Sequence, residues 1–429
     1  MEWKAGIGRA VITPETPVWL AGYGTKRVPE GKVHDLWVKT LVLQSPDGQV
    51  VALMTSDHMG IPKGMYESMC RKLQERHGIG RSHFMAAFSH NHCGPRLRDD
   101  LTDYYPEEAE QVALVDDYTD RVEEMMLETV AEAMAGLFPA KLSMGQGETT
   151  FAVNRRENSE AEAPRMMASG IPLKGAVDHA VPVLTVHDGS ERLRAVLFGY
   201  ACHPTTLSFT QWCGDYPGFA QIDIESDHPG ATAMFFNACG GDQNPIPRRN
   251  LELCECYGHM LSKAVEDVLS RPMKPVSSGL RAVFEFVPLD FEKVMTRPEL
   301  QASCESQNAI HARWARRLMA KLDAGVTFES CYPYPIQAWK LGKELLFIGI
   351  GGEAVVDYSL RFKREYGADT WVCGYANDLI AYIPSARVWR EGGYEGGPHL
   401  DEYGHPALRW APDVEDRIAA AVARLVGQG

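Results

Sequence analysis

The chain has 429 residues, with 57 acidic side chains against 43 basic ones and a formal net charge of −14 at pH 7. Nucleic acid and anionic lipid surfaces select for basic patches, so this balance argues against either as a main partner. No run approaches the roughly 20 apolar residues that a bilayer-spanning helix needs, so no integral membrane contact is expected. The ten cysteines are scattered without a Cys-x-x-Cys pair, which points to reduced thiols. The N-terminal stretch, residues 1–8, has neither a basic leader nor the apolar core of a signal peptide, and a cytoplasmic location is expected.

Strand-like sequence begins almost at once. Residues 37–44 and 50–54 are β-branched, apolar-rich runs separated by Ser45-Pro46-Asp47-Gly48, and this turn signal predicts a hairpin. Residues 62–77 fit a helix with proline in its first turn and Gly78 at its end, followed by an apolar strand from Phe84 to Phe88. Residues 106–137 read as one long helix whose stripe of Tyr118, Val122, Met125, Thr129 and Ala133 faces a core. Strands follow at 181–186, 195–201 and 232–236, then a helix at 251–269 and a strand at 280–286. Residues 298–322 are expected to form one polar-faced helix. The chain closes with a strand at 345–350, a helix at 354–366, a strand at 371–374 and a helix at 414–426. This alternation predicts an α/β fold with a large mixed β-sheet flanked by helices and the active site at strand carboxyl ends. No repeat or linker marks a boundary, so residues 1–429 are expected to form a single domain; nothing in the pattern signals an oligomeric state.

Several predicted strands run out into residues that can ligate or titrate. Phe84 to Phe88 leads to Ser89-His90-Asn91-His92-Cys93-Gly94-Pro95, and in an extended segment His90 and His92 would point the same way. Imidazole nitrogens are the commonest metal ligands, and a catalytic zinc needs about three protein ligands and one open position. The other strand ends lead to Asp57-His58, to Cys202-His203-Pro204, to Gly241-Asp242-Gln243-Asn244-Pro245, to Gly351-Gly352-Glu353, and to Tyr375-Ala376-Asn377-Asp378 with Tyr382 beyond. Each motif has a plainer reading. The two histidines can be satisfied loop residues, Glu353 can sit at a helix start, and the Asp242 loop can be a self-bonded turn. Cys93 and Cys202 each adjoin a candidate histidine, which leaves a cysteine nucleophile open, although free cysteine is usually a small buried hydrophobe. His58 and His399 are candidates to line the site.

Taken together these landmarks resemble the catalytic region of the neutral/alkaline ceramidase family. The match runs from Gly6-Ile7-Gly8-Arg9-Ala10-Val11-Ile12-Thr13-Pro14 through Gly22-Tyr23, His34-Asp35, the His90 motif, Asn154-Arg155, His203-Pro204-Thr205-Thr206, Gly241-Asp242, Gly352-Glu353 and Tyr382 to Tyr394-Glu395-Gly396, in the family's order. The resemblance implies one zinc ion per chain, held by His90, His203, Glu353 and Tyr382. It implies catalytic roles for His92 as donor or proton carrier, for Arg155 at a developing oxyanion, and for Tyr382 and Asp242. Asn244, Asn154 and His399 are expected on the substrate side. Asn244 stands where ceramidases have a serine after Gly-Asp-x, and the family's C-terminal immunoglobulin-like domain is expected to be absent. The expected activity is therefore zinc-dependent hydrolysis of an amide, or a related acyl bond, in a small soluble substrate through a metal-activated water. Alternatives are an ester, lactone or phosphoester hydrolase, a sugar-modifying enzyme, and a non-catalytic metal-binding or ligand-binding homologue.

Overall fold

Two β-sheets packed face to face build the centre of the molecule. The computed structural model describes residues 3–427; Met1 and Glu2, part of the N-terminal stretch read above, lie outside the described residues, as do Gln428 and Gly429. Among the described residues the larger sheet has nine strands. Eight follow the order Phe84–Phe88, Val50–Ser56, Trp37–Gln44, Trp3–Val11, Phe138–Glu148, Ala180–Asp188, Leu193–Tyr200 and Thr232–Asn237, and Lys274–Pro275 adds to Phe138–Glu148. The two outermost pairings of that order are parallel and the ones between them antiparallel. The predicted hairpin is present, with the Ser45 N–H donating to the Gln49 carbonyl at 2.9 Å across the turn.

The smaller sheet runs Leu280–Asp290, Cys331–Leu341, Leu345–Ile350 and Trp371–Cys373, antiparallel except for its last pair. Alternate side chains of its strands point to opposite faces. Trp339, Leu341, Leu345 and Phe347 therefore pack against Leu41, Leu53, Leu197 and Phe236 of the larger sheet. Ile336, Ala338, Ile348 and Ile350 face the other way, onto Asp357–Tyr366 and Val414–Gly427. The helices Lys63–His77, Ala109–Ala135, Asp215–Asp227 and Leu251–Leu269 cover the outer face of the larger sheet. The layers thus run helix, sheet, sheet, helix. The expected mixed sheet flanked by helices is there, and the second sheet on its inner face explains why strands such as Phe84–Phe88 are apolar throughout.

Close packing of helix on sheet depends on two glycines in Trp3–Val11. A Cβ on Gly6 would lie 1.9 Å from the Ala133 carbonyl oxygen, and one on Gly8 would lie 2.0 Å from that of Thr129. The stripe predicted on this helix is its inner face, with Tyr118, Val122, Thr129 and Ala133 buried and Met125 partly so.

Some elements differ from expectation. Residues 298–322 form two helices, Arg297–Ser303 and Ala309–Asp323, because the Asn308 side chain accepts from the Ile310 and His311 N–H groups and caps a new start. The helix expected from 354 begins at Asp357, since Glu353–Ala354 pairs in parallel with Tyr382–Ile383. The strands Phe138–Glu148 and Cys331–Leu341 and the helix Asp215–Asp227 were not foreseen. Phe138–Glu148 carries Pro139, Gly145 and Gly147, and Cys331–Leu341 carries Pro333 and Pro335, residues that ordinarily signal loops.

The topology also explains why the strand ends meet. Isolated bridges join Ala87 to Ala376 and Ala238 to Cys373, so the segment leaving the smaller sheet touches both edge strands of the larger one. The loops after Phe84–Phe88, Leu193–Tyr200, Thr232–Asn237 and Leu345–Ile350 open into one region. Among the described residues, no helix is long and apolar enough to cross a membrane.

Candidate metal centre and active site

His90, His203 and Glu353 come from three strand-end loops and meet in a buried cluster whose potential ligand atoms all lie within 4.8 Å of one another. Glu353 Oε2 is 3.1 Å from His90 Nε2 and 3.0 Å from His203 Nε2. Tyr382 Oη lies 3.4 Å from His203 Nε2. His92 Nε2 lies 3.2 Å from His90 Nε2. The two histidines of the His-x-His motif do converge, but not by extended geometry. His90 has φ 62, in the left-handed region that a non-glycine residue adopts at a cost of about 1–3 kcal/mol. Asn91 offsets that strain by donating to the Asp57 and Cys213 carbonyls at 3.2 and 2.7 Å and accepting from the Cys93 N–H at 2.8 Å.

The hydrogen bonds assign the imidazole tautomers. His90 Nδ1 is 2.8 Å from the Met59 carbonyl oxygen and His203 Nδ1 is 2.6 Å from that of Gly240. A carbonyl only accepts, so each Nδ1 carries the proton and each Nε2 presents a lone pair. His203 is pushed down to about 4 by burial first and then by Arg155. With each Nδ1–H bonded to a carbonyl, two imidazole Nε2 atoms and a Glu353 oxygen point at one small volume, and three acceptors so placed repel unless a cation sits among them. Zinc with bonds of about 2.0–2.1 Å in a tetrahedron sets its ligand atoms about 3.3 Å apart. The Glu353–His90, Glu353–His203 and His203–Tyr382 separations of 3.1, 3.0 and 3.4 Å are compatible with a metal ion held among these residues.

Around this cluster the remaining predicted residues divide. Arg155 donates from Nη2 to Tyr382 Oη at 3.1 Å, from Nη1 to Asn244 Oδ1 at 3.3 Å, and from Nε to Glu395 at 2.8 Å. Arg155, Asn244 and Tyr382 thus form one wall. Asp242 and Asn154 lie behind it. Asp242 accepts from the Val356 N–H at 2.9 Å, from Gln243 at 3.0 Å and from Asn154 at 3.3 Å, and burial pushes its carboxyl up to about 6. His399 meets the Gly397 and Tyr382 carbonyls at 2.9 and 3.3 Å, so both ring nitrogens face backbone.

No family model matches this chain, and no curated protein matches it. Solved structures do. A neutral ceramidase from Pseudomonas aeruginosa superposes with a TM-score of 0.72 over 100% of this chain and 75% of that one, at 19% identity. A ceramidase complexed with C2 gives 0.72 over 99% of this chain and 76% of that one, at 18% identity. The chain has a neutral ceramidase-like fold.

Within this ceramidase-like fold the structure adds residues that sequence patterning missed. Tyr403 donates to Glu353 Oε1 and leaves Oε2 facing the histidines. The Tyr375 ring packs against His90 at a tilt of 35°, with ring centroids 4.5 Å apart. Glu395 anchors both Arg155 and Arg156. Tyr375 and Glu395 stood within sequence motifs, at the end of the Trp371 strand and in Tyr394-Glu395-Gly396, but without an assigned role; Tyr403 stood in none. His58 is turned away from the cluster, bonded to Ser56 and Tyr118 at 2.8 and 3.1 Å. Cys93 and Cys202 are buried, and burial pushes both thiols well up, which removes the thiolate that a cysteine nucleophile requires.

Proposed function

We propose that this chain is a zinc-dependent hydrolase cleaving an amide, or a related acyl bond, in a small molecule, with residues 1–429 acting as one catalytic domain. The observation that carries this is the convergence of His90 Nε2, His203 Nε2 and Glu353 Oε2, three acceptors with no donor among them. The fold shared with ceramidases supports an acyl bond as the target.

His90, His203, Glu353 and Tyr382 would hold the ion. Zinc supplies Lewis acidity toward a carbonyl oxygen and lowers the pKa of a bound water to about 7. The chain's own groups do the rest. The Met59 and Gly240 carbonyls fix the imidazole tautomers, and Tyr403 fixes the carboxylate. Arg155 beside Tyr382 Oη places a permanent positive charge where oxyanion charge would develop. Burial holds His92 well below its ordinary pKa, so its ring can accept a proton. Asn244, held by Arg155, presents an amide to the substrate and offers no nucleophilic hydroxyl. Asp242, Asn154 and His399 act by position, the first two bracing the loop that carries Asn244 and the third the backbone of Tyr382. A cytoplasmic location belongs to the same proposal, supported by ten unpaired cysteines.

Metal analysis is expected to find close to one zinc per chain, and His203→Ala to lose both zinc and turnover. Chromogenic amides, esters and phosphoesters offered to the zinc-loaded protein rank the bond classes, with amides or related acyl compounds expected first. Full turnover in His203→Ala contradicts the proposal.

A further inference from the structure

A cavity of about 480 Å³ opens beside Tyr382, with Arg155, Asn244 and Arg248 among its lining residues. Since Arg155 also donates to Tyr382 Oη, this cavity and the ligand cluster share a wall. Its charge is unusual for a chain of net charge −14. Arg155 and Arg156 share one carboxylate, Glu395, at 2.8 and 2.6 Å. Arg248 and Arg249 likewise share Glu160, at 2.5 and 3.5 Å. Arg156 also reaches Glu391 at 3.1 Å, but that group is half-exposed and divided with Arg387. Three guanidiniums, those of Arg155, Arg156 and Arg248, thus line the cavity against two carboxylates, Glu160 and Glu395, which leaves it positive.

Arg248 is set rigidly for recognition. Its Nη1 donates to Thr205 Oγ1 at 3.1 Å, two residues from the ligand His203, and its Nε is buried without a hydrogen-bond partner. Apolar lining is confined to residues such as Ile246 and Tyr394. A long alkyl chain here would strip water from arginines and return no hydrogen bond. A carboxylate or phosphate would match the guanidinium fork, and the low-dielectric walls would focus the attraction.

We infer that the substrate carries an anionic group beside its scissile bond, held by Arg248 together with Arg155. This inference rests on the hydrolase reading above and adds to it the substrate's charge and a specificity residue, Arg248.

The test uses pairs that differ only in charge. N-acetylglycine and N-acetylglycinamide place the charge on the amine side, while N-methylsuccinamate and N-methylsuccinamide place it on the acyl side. For the zinc-loaded protein, kcat/KM is expected to favour the charged member by at least tenfold in one arm, mainly through KM. Arg248→Gln is expected to abolish that preference and Arg248→Lys to restore part of it, with zinc content and melting temperature unchanged. Neutral members cleaved as well as charged ones would overturn the inference and leave the hydrolase reading standing. Failure to cleave any member counts against the hydrolase reading alone. Calorimetry with a ketone isostere then decides the charge question: 4-oxopentanoate is expected to bind the zinc-loaded protein at least tenfold more tightly than 4-oxopentanamide, and equal binding overturns the inference. Should Arg248→Gln fail to fold, the wild-type preference and its loss in high salt still decide.

Discussion

Glu353 and Tyr382 are register partners across a two-residue parallel strand pair, so the backbone ladder itself places a carboxylate beside a phenol. The Glu353 N–H bonds the Ala381 carbonyl at 2.8 Å and the Val355 N–H bonds that of Ile383 at 3.2 Å. Gly352, with φ 69, makes the turn that feeds this pair; a Cβ there would lie 2.5 Å from the Ala381 carbonyl oxygen. Two of the four proposed ligands are therefore positioned by main-chain hydrogen bonds rather than by side-chain packing.

Glu353→Gln keeps the shape of the side chain and removes its charge. Zinc bound after dialysis is expected to fall from about one per chain to less than a tenth, with the fold retained by circular dichroism. Undiminished zinc would show that the carboxylate is not a ligand.

Tyr403→Phe deletes the hydrogen bond to Glu353 Oε1 without touching the histidines. Partners that orient a ligand are worth about 10- to 100-fold in metal affinity, and a loss of that size is expected in a competition titration with a chelator. An unchanged affinity would mean that Glu353 is oriented by its strand alone.

Arg155→Lys keeps the charge but cannot reach Tyr382, Asn244 and Glu395 together. The expected result is a fall in kcat of about 10²- to 10³-fold with zinc content intact, the size seen when an oxyanion donor is removed. Normal kcat would place Arg155 outside the chemistry.

Burial pushes His58 down to about 3. Because this lies below the ordinary value near 6.5, the unfolded chain binds a proton that the folded one refuses between those two pH values. The stability His58 contributes is thus fully present above pH 6.5 and is lost as pH falls toward 3, by up to about 1.4 kcal/mol per pH unit. Urea unfolding at pH 6.5 and 5 is expected to show wild type losing roughly 1–2 kcal/mol more than His58→Gln. Equal losses would contradict this.

Gly8→Ala drives a methyl group into the Thr129 carbonyl of the long helix. Overpacking of this kind costs about 1–3 kcal/mol, more where backbone must move, and a lower melting temperature is expected. An unaltered melting temperature would mean that helix and sheet slide apart freely.

The ligands were legible because His90, His203 and Glu353 each follow an apolar strand and sit in a short polar motif. Parallel edge strands deliver such loops to one end of a sheet, so the sequence pattern alone implies the convergence. Tyr403 was not legible. It lies fifty residues from Glu353 in a loop after no predicted strand, where His399 drew the attention instead, and only the fold brings the two together. The second sheet was hidden for another reason. Cys331–Leu341 carries Pro333 and Pro335, which local rules assign to a loop, yet Leu280–Asp290 and Leu345–Ile350 pair with it on both sides. The split of residues 298–322 turned on Asn308, whose capping role was outweighed in the pattern by the helical run on either side.

Anomalous diffraction at the zinc edge from crystals of the zinc-loaded protein tests the central claim most directly. The account predicts a single strong peak bonded at about 2.0–2.2 Å to His90 Nε2, His203 Nε2 and Glu353 Oε2. A zinc-replete crystal with no peak among those three atoms, or with its peak elsewhere on the chain, would contradict it.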